Sequence, residues 1–220
     1  MRSTFIPVLM LLVLAAPLRA ATTSEIADET SRKFRGDNHL VTFWWLPVDY
    51  WVAAAREAGK TEAEVQAIAA LYDKYTLIGA LDVQFRPGGE FDALSTAEIV
   101  RRLEIFVDDV PFEVLKQVDP ILQQMAPELA YAFQVSLVEL GRGLRLLPVA
   151  NVNAAGESIL SGGRPGVLRV RYKAEPGQSP IELWWHAPLT AVKGKQKCPG
   201  SGAAMEASWK FCPWNGKPPE

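Results

Sequence analysis

Only two cysteines and two histidines occur in 220 residues. His39 and His186 each stand without a second ligand at helical or knuckle spacing, so neither founds a metal motif, and no metal or cofactor is assigned. No G-x-S-x-G elbow and no phosphate-cradling glycine loop occurs, which removes the usual signatures of serine hydrolysis and nucleotide binding; no catalytic residue is assigned. No long basic run is present, so the chain has no electrostatic footprint for a nucleic-acid backbone. The longest apolar stretch, Phe5 to Leu18, is interrupted by Pro7 and Pro17 and falls short of the roughly twenty residues of a spanning helix, which argues against a permanent membrane anchor. Repeats and low-complexity tracts are lacking as well.

What is present describes an ordinary folded chain. Apolar residues make up 49% and charged residues 22%, and seven Trp, nine Phe and five Tyr supply bulky side chains that need one sizeable core. Arg2, the apolar run and the small Ala20 before a polar stretch have the layout of a secretory signal peptide over residues 1–20. Without that segment the chain holds 21 Lys and Arg against 25 Asp and Glu, a charge of −4. Export, to the periplasm or the exterior, implies an oxidising compartment in which two cysteines tend to pair.

Residues 21–38 are polar and mixed in charge without a sustained period, and read as a flexible leader. Order is expected from His39, where Leu40–Trp45 suits a strand. Pro47 then opens a helix that Gly59 ends, and Thr61 with Glu64 forms a capping box ahead of a second helix carrying Val65, Ile68, Ala69 and Tyr72 on one side. Thr76–Phe85 reads as a strand closed by Arg86-Pro87-Gly88-Gly89. Ser95 and Glu98 repeat the capping box before a short helix, and Leu103, Ile105 and Val107 alternate as a strand. Asp119-Pro120 opens the longest helix, whose stripe runs through Leu122, Met125, Leu129, Phe133, Leu137, Leu140 and Leu144, with a kink expected at Pro127. Strands are expected at 144–152, 167–173 and 181–186. The mixed order predicts an α+β domain over residues 39–190, with a largely antiparallel sheet covered by helices.

The tail, residues 191–220, carries the most specific pattern. Cys198-Pro199-Gly200-Ser201-Gly202 returns fourteen positions later as Cys212-Pro213-Trp214-Asn215-Gly216. This resembles a zinc ribbon, in which two C-P-x-C-G knuckles face each other across a short hairpin. A complete ribbon uses the first and fourth residue of each knuckle as thiolate ligands; here Ser201 and Asn215 hold the fourth positions, and two thiolates do not close a tetrahedral site. The resemblance implies a ribbon-like hairpin without tight zinc. Ligand sulfurs of such a site lie about 4 Å apart, and a small adjustment converts that geometry into a Cys198–Cys212 disulfide. The segment Trp45-Leu46-Pro47-Val48-Asp49-Tyr50-Trp51 in the body resembles one found in uncharacterised bacterial secreted proteins, which carry no activity to transfer.

Two aromatic groups stand out as ligand-binding candidates: Trp44 with Trp45, and Trp184 with Trp185 and His186. Neighbours in a strand point to opposite faces, so one of each pair can stack on a sugar or a protein partner. The carboxylate pairs Glu90/Asp92 and Asp108/Asp109 read as solvated turn charge, and Ser161-Gly162-Gly163 as a surface turn. The resulting expectation is an exported, soluble binding or structural module of the cell envelope with an unidentified protein or glycan partner. The alternative is a secreted, hydrolase-like enzyme with a loop-built site around His186 and an acid such as Glu182 or Asp109.

Overall fold

The computed structural model describes residues 20–124, 129, 133, 137–153, 155–174 and 179–219. The signal peptide and the Pro127 kink lie outside the described residues. The chain forms α1 (Thr23–Thr30), β1 (Ser31–Arg35), β2 (His39–Leu46), α2 (Val48–Glu57), α3 (Glu62–Tyr72), β3 (Tyr75–Phe85), β4 (Phe91–Ala93), α4 (Thr96–Arg102), β5 (Leu103–Val107) and β6 (Val110–Phe112). It continues through β7 (Arg145–Ala150), β8 (Gly166–Tyr172) and β9 (Ile181–Ala187), and the tail adds β10 (Gln196–Lys197) and β11 (Ala204–Met205). Helical residues begin at Pro120, where Asp119 accepts from the Ile121 amide, and a 3-10 turn follows at Val138–Gly143.

The fold is α+β with antiparallel pairing throughout, as expected, and its body contains two packed sheets, the first of them covered by helices on its other side. One sheet runs β1-β2-β3; the first half of β3 then pairs with β7 and its last residues with β4. The other runs β6-β5-β8-β9. Alternation along the strands explains the packing. Val41, Phe43, Trp45, Ile78, Ala80, Leu147 and Val149 of the first sheet meet Ile105, Val107, Leu168, Val170, Tyr172 and Trp185 of the second in one buried cluster. The opposite side of the first sheet presents Leu46, Leu77, Leu81 and Val83, which α2, α3 and the segment carrying Leu122, Leu129 and Phe133 cover.

Local signals account for most boundaries. Thr61 and Glu64 close a reciprocal capping box on α3, and Ser95 and Glu98 do so on α4. Gly59, at φ +71°, ends α2 with the Lys60 amide reaching back to Ala55. Asp108 and Asp109, both at positive φ, form the two-residue turn of the β5–β6 hairpin. Asp92 is occupied by Arg86 across the β3–β4 hairpin.

Two expectations change. The stretch read as a flexible leader carries α1 and β1: Thr22 and Glu25 form a third capping box, and Ile26 and Thr30, one turn apart, are fully buried. Ser161-Gly162-Gly163 is no surface turn, since Ser161 and Gly162 are buried. Asp49 reaches across from the start of α2 and accepts from the Gly162 amide at 2.6 Å. A Cβ at Gly162 would lie 2.8 Å from the Asp49 carboxylate, which would have to shift to make room for it. Burial raises the Asp49 carboxyl above its ordinary 3.8, against the lowering effect of that amide.

Candidate functional site

The four flagged tryptophans separate by strand alternation. Trp45 and Trp185 point between the sheets and are fully buried, with their indole N–H groups donating to the Thr76 hydroxyl and the Thr30 carbonyl. Both are core residues and leave the list of binding candidates. Trp44 lies on the opposite side of the first sheet, half-buried beside Gly79 and Leu144 in the helix-covered layer. Trp184 alone is substantially open, at 40% exposure, and His186 shares its face.

Strand register builds a platform around Trp184. Phe106 on β5 lies opposite Arg169 on β8, and Arg169 lies opposite Trp184 on β9, so the three form one row across the outward side of the second sheet. The Arg169 guanidinium sits 4.1 Å from the Phe106 ring centroid and 5.1 Å from that of Trp184. His186, two positions along β9, lies parallel to Trp184, with 6.4 Å between ring centroids. Arg169 also pairs with Asp109 at 3.0 Å and Glu182 at 3.8 Å, and its Nε has no hydrogen-bond acceptor among the described residues. In the next row Arg171 bridges Glu104 and Glu182. Cation–π contact and ion pairing therefore hold a flexible side chain flat between two rings. At about 4.8 Å per strand the row spans about 10 Å, close to the length of two sugar rings.

The same geometry bears on the enzymatic alternative. Glu182 and Asp109, the acids considered as partners for His186, are engaged by Arg169 and Arg171, and His186 pairs with no carboxylate among the described residues. A dyad instead forms at the other histidine. His39 Nε2 and Asp82 Oδ1 are 2.6 Å apart, and the Tyr172 hydroxyl donates to Asp82 Oδ2 at 2.5 Å. His39 and Asp82 border a cavity of about 170 Å³ with Gln84, Asp92, Leu94, Arg102 and Ala174. Among the described residues its lining offers a base and acids but no hydroxyl, thiol or amine nucleophile, and Asp82 is engaged by His39 and Tyr172. A second, apolar cavity of about 290 Å³ lies between α2, α3, Leu129 and Phe133. Trp51 and Tyr72 stack at its wall, and among the described residues the buried Trp51 Nε1 and Tyr72 hydroxyl have no hydrogen-bond partner.

The tail closes through the Cys198–Cys212 disulfide, with 5.3 Å between Cα atoms. Its two knuckles make the same bonds: the Gly202 amide donates to Cys198 and the Gly216 amide to Cys212, while the cysteine amides donate to Ala203 and Lys217 respectively. Asn215, in a position where a ribbon places a thiolate, donates instead to the Pro199 carbonyl at 2.7 Å. Among the described residues no cluster of three metal-ligating side chains occurs. The tail meets the body through Thr190, whose hydroxyl donates to Glu206 and accepts from the Ala207 amide. Trp209, Phe211 and Trp214 are 41%, 61% and 64% exposed.

No family model matches the chain, and no curated protein or solved structure matches it. Among the described residues no helix is long and apolar enough to cross a membrane.

Proposed function

We propose that the protein is an exported binding module of the cell envelope that recognises a glycan through the Phe106–Arg169–Trp184–His186 platform. The carrying observation is the arginine clamped between Phe106 and an open Trp184 on the outward side of a sheet. A sugar ring presents a flat face of C–H groups to an indole and hydroxyls to flanking polar groups. Glu104, Arg171, Glu182 and Asp109 line the platform in mixed sign, which favours a neutral or weakly charged chain over a polyanion.

The export reading rests on the signal-like residues 1–20, and the disulfide is compatible with it. The matching hydrogen bonds of the two knuckles support descent of the tail from a zinc ribbon whose metal was replaced by a covalent bridge.

The test is calorimetric titration of the purified protein with soluble envelope glycans. Binding that Trp184→Ala weakens about tenfold or more, with the fold intact, supports the reading. Binding indifferent to Trp184 overturns it, as does a protein partner captured on this face while glycans are inert.

A further inference from the structure

We infer that the disulfide-stapled tail is a reversible docking element for an anionic lipid surface. The inference is independent of the platform and starts from charge. Residues 191–220 hold Lys193, Lys195, Lys197, Lys210 and Lys217 against Glu206 and Glu220, a net +3, whereas residues 21–190 carry −7. All five lysines are exposed. The tail is thus a basic tip on an acidic body.

The same tip displays its aromatic residues instead of burying them. Trp209, Phe211 and Trp214 are open to solvent, and the rings of Trp209 and Trp214 adjoin at 6.4 Å. The tail's own small core is filled by Cys198, Met205 and Cys212, and these three rings lie outside it. The disulfide and the paired knuckle turns hold them on a fixed scaffold. Trp214 belongs to one of the tight knuckle turns, closed by the Gly216 amide donating to Cys212.

Aromatic side chains beside lysines match the layering of a membrane interface. Indole and phenyl rings settle at the level of the headgroups, and lysines are drawn to anionic phosphates within a Debye length of the surface. The −7 body is repelled by the same field, which orients the molecule tail-first. Neither a long helix nor a lipid anchor is needed, and the attachment stays reversible.

The experiment is co-sedimentation of the disulfide-intact protein with vesicles of phosphatidylglycerol and phosphatidylcholine, compared with phosphatidylcholine alone. Expected are partition to the anionic vesicles only, a blue shift of indole emission, and release by high salt. Trp209→Ser with Trp214→Ser should lower the partition about tenfold or more, and so should Lys210→Glu with Lys217→Glu; Trp184→Ala should leave it unchanged. Mass analysis before and after reduction verifies that each variant keeps its bridge. Equal partition to both vesicle types, no partition to either, or partition unaffected by both double variants overturns the inference, as does an acidic protein partner bound by a tail to which vesicles are inert.

Discussion

The Tyr172 hydroxyl donates to Asp82 at 2.5 Å and so ties a strand of one sheet to the centre of the other, with His39 holding the second carboxylate oxygen. A buried carboxylate is tolerable only when such partners satisfy it. Tyr172→Phe should therefore destabilise the protein by about 1–3 kcal/mol, read by urea unfolding, because it strips one partner from an acid that stays buried. In a double-mutant cycle with Asp82→Asn the two losses should couple rather than add.

Burial, followed by the bond to Asp82, raises the ionisation of Tyr172 above the ordinary tyrosine value of 10.0. The stability this provides is complete below pH 10 and is lost as pH rises beyond it, because the unfolded chain ionises first. Unfolding midpoints should fall steeply above pH 10, and Tyr172→Phe should flatten that limb.

Asp49 and Gly162 form a contact without slack. Gly162→Ala should destabilise by about 1–3 kcal/mol, read by urea unfolding, since the added Cβ displaces the Asp49 carboxylate and breaks the bond it accepts from the residue-162 amide. Asp49→Asn keeps an acceptor for the Gly162 amide and removes the charge whose burial raises the carboxyl. A raised carboxyl favours the folded state at acid pH and loses that benefit as pH climbs through its folded value. The variant should accordingly melt at or above the parent at pH 7, and the difference should shrink below the ordinary carboxyl value of 3.8, as followed by thermal melts at the two pH values.

Tyr72 supplies a test of opposite sign. Its buried hydroxyl has no hydrogen-bond partner among the described residues, and burial pushes its ionisation up to about 12. Tyr72→Phe discards an unsatisfied donor while keeping the ring stacked on Trp51. The expected change is neutral to stabilising, up to about 1 kcal/mol by denaturant unfolding.

Reduction of the bridge between Cys198 and Cys212 should unfold the tail and leave the two-sheet body intact, because the tail's buried cluster is small and separate. The chain-entropy scale puts the contribution of a loop of this length at about 3 kcal/mol. Hydrogen exchange should show loss of protection in residues 196–217 while β2, β3 and β8 stay protected.

Periodicity and capping made much of this fold legible. The α2–α3 pair, the strands around Ile78, Ile105, Val170 and Trp185, and the start of a helix at Pro120 follow from local pattern and cap chemistry. Residues 21–38 read as a leader because their polarity masks a cap: Thr22 and Glu25 form a capping box like those at Thr61 and Ser95, and only tertiary burial shows that Ile26 and Thr30 face the core. Alternation correctly splits each Trp pair but leaves open which member is outward, since that depends on where the second sheet packs. His39 and Asp82 are 43 residues apart, and no spacing rule joins them. A visible hint was a lone carboxylate inside the apolar run Leu77–Phe85, which needs a partner from elsewhere. The row from Phe106 to Trp184 required register across three strands, which distant pairing alone determines.

The glycan-binding platform is tested most directly by fluorine NMR of the protein labelled with 5-fluorotryptophan, whose seven indoles report separately once assigned by single Trp→Phe variants. On addition of soluble envelope glycan the Trp184 resonance should shift, and those of the buried Trp45 and Trp185 should stay fixed. Shifts confined to other indoles, or a Trp184 signal that remains unmoved at saturating glycan, would contradict the assignment of this face as the recognition surface.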